Sequence, residues 1–135
     1  MLLIHGKTNE EIVLPNDLIW TDEFTWKKVG STPAYSLKGN LIIQQGIKLG
    51  GRTISLAPPD DSMAWVPRST VKKLLEWSEE LAGVFILMFE YPTDKRTFEV
   101  HFSPEDECIS SQAVKGFADH TEDEWHLISL KFIEV

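Results

Sequence analysis

The densest set of side chains able to bind metal or move protons lies late in the chain, where Asp119, His120, Glu122, Asp123, Glu124 and His126 almost adjoin and His101 could join from a distance. Imidazole and carboxylate suit zinc, and carboxylate oxygens suit calcium. The spacing matches neither an H-E-x-x-H helix nor an EF-hand loop, and the two close histidines flank a loop-to-strand junction. These residues therefore read as a solvated acidic loop, and no metal is assigned.

Other reactive types fare no better. Asp22 with Glu23, and Asp60 with Asp61, would need to face each other across a cleft for acid-base work, whereas neighbours in a turn point apart. His5-Gly6-Lys7-Thr8 echoes the end of a phosphate loop, but Met1 stands where the first glycine is required. Cys108 follows Glu105, Asp106 and Glu107, whose negative field disfavours a thiolate. There is no G-x-S-x-G elbow. No catalytic or cofactor-binding residue is assigned, and no enzymatic activity is expected.

The elements that would have to position such groups are organised around residues 52–102. Pro67 stops a strand, Ser69 or Thr70 offers an N-cap, and Gly83 offers a left-handed stop, which predicts a helix over residues 69–82. Val71, Leu74, Leu75, Leu81 and Ala82 give it an apolar face. Residues 84–91 are rich in strand formers and read as a central strand buried on both faces. Pro92 to Lys95 turns the chain, and residues 96–102 alternate, with Phe98, Val100 and Phe102 on one face.

The remainder reads as strand and turn. Leu2 to His5 and Glu10 to Leu14 can pair, Leu18 to Trp20 is short, residues 27–33 read as a loop, and Leu41 to Gln45 and Arg52 to Leu56 follow as strands. Residues 104–124 hold seven carboxylates against Lys115 alone, with a short strand or turn possible in residues 109–117. Trp125 to Val135 is a closing apolar strand. Edges at both terminal strands would be free to add to a neighbour's sheet. The fold class expected is α+β, mainly antiparallel β: a sandwich or partly rolled sheet with one packed amphipathic helix.

With 135 residues the chain suits a single domain spanning residues 1–135. Thirteen basic against twenty-one acidic residues, a net charge of −8, argue against a phosphate-binding surface and so against nucleic acid. One cysteine precludes an internal disulfide. Residues 1–6 lack the cationic lead and apolar length of a signal peptide, which predicts cytoplasmic synthesis, and no segment suits membrane insertion. Five tryptophans in a β-rich chain also suit a small carbohydrate-binding module, with Trp20, Trp26 and Trp65 as the stacking platform.

One combination of segments points further. Gly51-Arg52-Thr53-Ile54-Ser55-Leu56, a helix with Leu74-Leu75, a strand-turn-strand ending Arg96-Thr97-Phe98-Glu99-Val100, and a last strand from Leu127 to Val135 recur in that order. So does the opening Leu14-Pro15-Asn16-Asp17-Leu18-Ile19-Trp20-Thr21-Asp22-Glu23-Phe24. Over nearly its whole length the chain resembles small tail and baseplate proteins of bacteriophages and prophages, and is similar to the β-rich ring-forming domain of distal tail proteins. The resemblance implies a structural component of a virion tail, made in a bacterial cytoplasm, that forms a homo-oligomeric ring or docks to other tail proteins. The chain departs from larger distal tail proteins in lacking a second, C-terminal binding domain, so no host-binding role carries over. The expected partner surfaces are Trp20, Asp22 and Trp26 in the first aromatic turn, and Glu105, Asp106, Glu107, Asp119, Glu122 and Asp123 in the acidic segment, which can steer a basic partner.

Overall fold

Two-residue alternation of apolar and polar side chains puts one face of the longer main-sheet strands inside. In order the chain forms β1 (Leu2–His5), β2 (Glu11–Val13), β3 (Ile19–Trp20), β4 (Val29–Tyr35), β5 (Leu41–Ile47), β6 (Thr53–Ala57) and β7 (Trp65–Pro67). Helix α1 (Arg68–Ser78) follows, then β8 (Phe85–Met88), β9 (Thr97–Phe102), β10 (Ile109–Ala113) and β11 (Trp125–Glu134). The computed structural model describes residues 1–104, 107–116, 118–119 and 121–135. Glu105 and Asp106 of the expected acidic surface, Phe117 at the end of the possible late strand and His120 of the metal-type cluster lie outside the described residues.

Among the described residues, nine strands form one antiparallel sheet in the order β2-β1-β8-β9-β11-β6-β3, with β10 and β7 both paired to the first half of β11. Trp20, on the terminal strand β3, packs on Phe89 and on Phe98 of β9, so the sheet curls over its own core. Leu3, Leu56, Leu87, Val100, Leu130 and Phe132 fill that core, and α1 adds Leu74 and Trp77. The α+β, mainly antiparallel class expected from the sequence is the one observed.

Several local readings change. The terminal strands are not edges: β1 lies between β2 and β8, and β11 lies between β9 and β6. Strand β8 is central, yet only Phe85 and Leu87 are fully buried, while Ile86 and Met88 on its other face are partly exposed. Helix α1 begins and ends earlier than predicted. No side chain caps it; the amides of Arg68 and Ser69 donate instead to the carbonyls of Glu124 (2.9 Å) and Glu122 (3.2 Å). Those carbonyls fill the role that a first-turn side chain would otherwise take. The left-handed position falls on Ala82 (φ 53°), not Gly83. Space at Gly83 is tight instead, because a Cβ there would sit 3.0 Å from the Phe85 ring.

The largest departure is at residues 27–33, expected as a loop. They form most of β4, which pairs with β5, the strand expected from Leu41 to Gln45, as a separate two-stranded hairpin from Val29 with Ile47 to Tyr35 with Leu41. Pro33 is tolerated because each strand of a two-stranded ribbon has one edge needing no amide donor. At the root, the Lys48 amide donates to the Lys28 carbonyl at 2.8 Å.

Candidate functional site

The first aromatic turn is tied inward. Antiparallel pairing of β3 with β6 sets Trp20 opposite Leu56. Its ring stacks on Phe89 (centroids 5.8 Å apart, planes 12° apart) and meets Phe98 edge-on at 5.5 Å. The Arg96 guanidinium lies 5.2 Å from the same ring. Asp22 completes the arrangement: its Oδ1 accepts from Trp20 Nε1 at 2.8 Å and from the Ser55 amide at 2.9 Å, while Oδ2 accepts from Ser55 Oγ at 2.9 Å. Burial alone would raise the Asp22 pKa, but the donors of Ser55, Thr53 and Trp20 outweigh it and hold the carboxyl below its ordinary range. Glu23 is drawn into the same cluster, accepting from Arg96 Nη2 at 2.5 Å, and Asp94 accepts from Arg96 as well. The guanidinium beside it also holds the Asp94 carboxyl low.

Trp26 is placed apart from that cluster. It sits at the root of the hairpin with Arg52 5.1 Å and Lys48 5.4 Å from its ring, both within cation-π range. Arg52 also reaches Glu134 at 3.7 Å. Of the three residues expected to form one contact surface, Trp20 and Asp22 are brought together as an internal clamp, and Trp26 belongs to the base of the arm.

The second expected surface divides too. Glu122 pairs with Lys72 of α1, and backbone carbonyls from the same segment hold the helix start. Glu107, Asp119 and Asp123 are exposed. Among the described residues no three His, Cys, Asp or Glu side chains converge as metal ligands.

The three described histidines are held by structural contacts. His5 is buried between Trp77 and Phe85, edge-on to both rings at 5.2 Å. Its Nδ1 accepts from the amides of Lys7 (3.1 Å) and Thr8 (3.3 Å), which puts the ring proton on Nε2, 2.7 Å from Glu80 Oε2. A His–carboxylate pair poised as a base leaves one ring nitrogen facing substrate; here both are engaged. The adjoining Gly6 lies so close to β8 that a Cβ would come within 2.4 Å of the Val84 carbonyl oxygen, which accounts for the glycine in the phosphate-loop echo. His101 Nδ1 lies 2.7 Å from the Gly83 carbonyl, and His126 Nδ1 lies 3.1 Å from Ser111 Oγ. A cavity of about 400 Å³ opens between Trp77, Glu80, Phe85, His101 and Phe102, with an apolar lining over most of its wall.

What sequence reasoning missed is the arm. The register of β4 and β5 puts Val29, Pro33 and Tyr35 on one face with Ile47, Ile43 and Leu41 opposite them. All six side chains are exposed: Tyr35 retains 76% of its surface and Ile47 67%. A lone two-stranded hairpin is marginal in water, and an apolar face of this kind calls for cover. The available signal was the run Leu41-Ile42-Ile43 facing Pro33-Ala34-Tyr35 across Lys38-Gly39-Asn40, a hairpin turn.

No protein family matches the chain, and neither does any curated protein or solved structure.

Proposed function

We propose that this protein is a structural component of a phage or prophage tail tip or baseplate, acting by oligomerisation and by docking to other tail proteins. The observation that carries the assembly reading is the projecting hairpin, which presents six apolar side chains on one face with nothing covering them in a single copy. A polypeptide surface that is apolar, regular and uncovered is a contact surface for another chain. The tail context rests on the sequence resemblance, and the inward-facing histidines agree with a part that assembles without catalysing a reaction.

Light scattering over a wide range of protein concentration tests the assembly reading. A discrete symmetric oligomer, such as a trimer or hexamer, is expected. A monomer at every concentration would remove self-assembly from the proposal.

The carbohydrate-binding alternative changes its platform. Trp20 is covered by Phe89 and Arg96, and Trp26 is flanked by cations, so Trp65 alone of the three expected rings remains open, now joined by Trp125. Tryptophan fluorescence titrated with glycans distinguishes this reading: a saturable change lost in Trp65→Ala would favour sugar binding over assembly.

A further inference from the structure

The arm differs from the rest of the molecule in charge as well as in shape. Between Lys27 and Arg52 lie five of the thirteen basic residues, Lys27, Lys28, Lys38, Lys48 and Arg52, and none of the twenty-one acidic ones. The remainder of the chain thus sets eight basic residues against twenty-one acidic ones. Every charged side chain of the arm segment itself is therefore positive, with Glu134 beside Arg52 at its root, on an otherwise strongly acidic molecule.

Two arms would repel each other at close range, whereas an arm and a body attract. The body offers an apolar face of matching kind. Pairing of β7 with β11 sets Trp125 opposite Pro67 and Leu127 opposite Trp65, and because His126 and Val66 between them point into the core, these four project outward. Trp65 and Trp125 are 39% and 47% exposed, and Met63 lies beside them in the chain at 41%. Asp60 and Asp61 precede this patch on one strand, and Asp123 and Glu124 precede it on the other. Two exposed tryptophans on neighbouring strands, with carboxylates just before each strand in the sequence, are of the anchor type that dominates interface energetics.

We infer that the arm of one copy lies across the Trp65–Trp125 face of a second copy, apolar face to apolar face, with the arm's lysines opposite the acidic rim. This rests on the assembly reading above and specifies its contact. Seven-residue strands give the arm a reach on the order of 20 Å, enough to cross the two-strand patch of β7 and β11, whose strands lie about 4.8 Å apart. The two surfaces differ, so the contact is head-to-tail. Repeated copies close into a ring if the rotation per step permits, and otherwise grow as a filament.

Complementation between two variants tests it. Ile43→Asp with Lys38→Glu disables the arm, and Trp65→Ala with Trp125→Ala disables the face; circular dichroism and melting temperature establish that each is folded. Each variant alone is expected to sediment as a monomer where the wild type assembles. An equimolar mixture is expected to form a dimer and nothing larger, because one intact arm meets one intact face. Raising NaCl from about 0.05 M to about 0.5 M should weaken wild-type assembly about tenfold or more, a readout independent of any substitution. If the wild type assembles but the mixture stays monomeric, or the arm variant still assembles, this contact is wrong while the assembly reading stands. If the wild type is monomeric throughout, both fail and the arm is covered by a different protein.

Discussion

Trp20 and Tyr35 are both large aromatic residues on short strands, and the chain treats them in opposite ways. Trp20 has a ring beneath it, another at its edge, a guanidinium nearby and a carboxylate for its N–H. Tyr35 has its cross-strand partner Leu41 and, for the rest, solvent. The first turn closes its own polar and apolar requirements within one chain, so its role is to hold the sheet's curl. The arm leaves its apolar requirement open, and the proposed contact with another copy would meet it.

The sharpest way to break this contrast is Trp20→Ala, which removes a stacked core-edge ring. It should lower unfolding free energy by roughly 3 kcal/mol in urea titration, with assembly of the remaining folded protein unchanged. If assembly instead failed at wild-type stability, the first turn would be an interface after all.

Asp22→Ala comes next. It strands the Ser55 amide and leaves the Trp20 N–H only its longer bond to the Thr53 carbonyl (3.3 Å), and should cost about 1–3 kcal/mol. The wild-type contribution of Asp22 also carries a pH signature. Its folded pKa lies below the ordinary carboxylate value, so its stabilisation is complete above the unfolded pKa of about 3.9 and is lost as pH falls through the depressed folded value. Acid titration of stability should therefore be shallower in Asp22→Asn than in the wild type over that window.

On the other side of the comparison the stability effects shrink. Ile43→Ser should shift the stability of the isolated chain by no more than about 0.5 kcal/mol, as for an ordinary surface position, yet abolish assembly. Replacing residues 29–47 by a short glycine-serine link should leave the melting curve of the body nearly unaltered, because the root is already drawn together by the bond from the Lys48 amide to the Lys28 carbonyl. A body that failed to fold without its arm would overturn the division between the two regions.

Much of the body was legible in the sequence, because alternation in residues 96–102 and 125–135 reports a half-buried strand directly. The helix boundaries were not. The groups that meet the amides of Arg68 and Ser69 come from Glu124 and Glu122, more than fifty residues away, and no local pattern announces them. Gly83 looked like a helix stop, but the left-handed residue is Ala82, and Gly83 packs closely against the Phe85 ring. The aromatic turn was recognised as a feature, but its internal packing was not legible, since residue types alone do not reveal that Phe89, Phe98 and Arg96 surround Trp20. The arm was misread because Gly30, Ser31 and Pro33 mimic a loop, and because its charge stands out only once the strands are paired.

Strand β11 pairs with β6, β7, β9 and β10, and every one of those partners precedes it in the chain. During vectorial synthesis, then, the sheet lacks its middle until residues 125–134 have emerged from the ribosome. Closure of the body waits on contacts distant in sequence, which makes it slow. The arm needs only its neighbours in sequence to form. A nascent chain would thus display its arm before its own receiving face exists, and at that stage could give an arm to a completed copy but accept none.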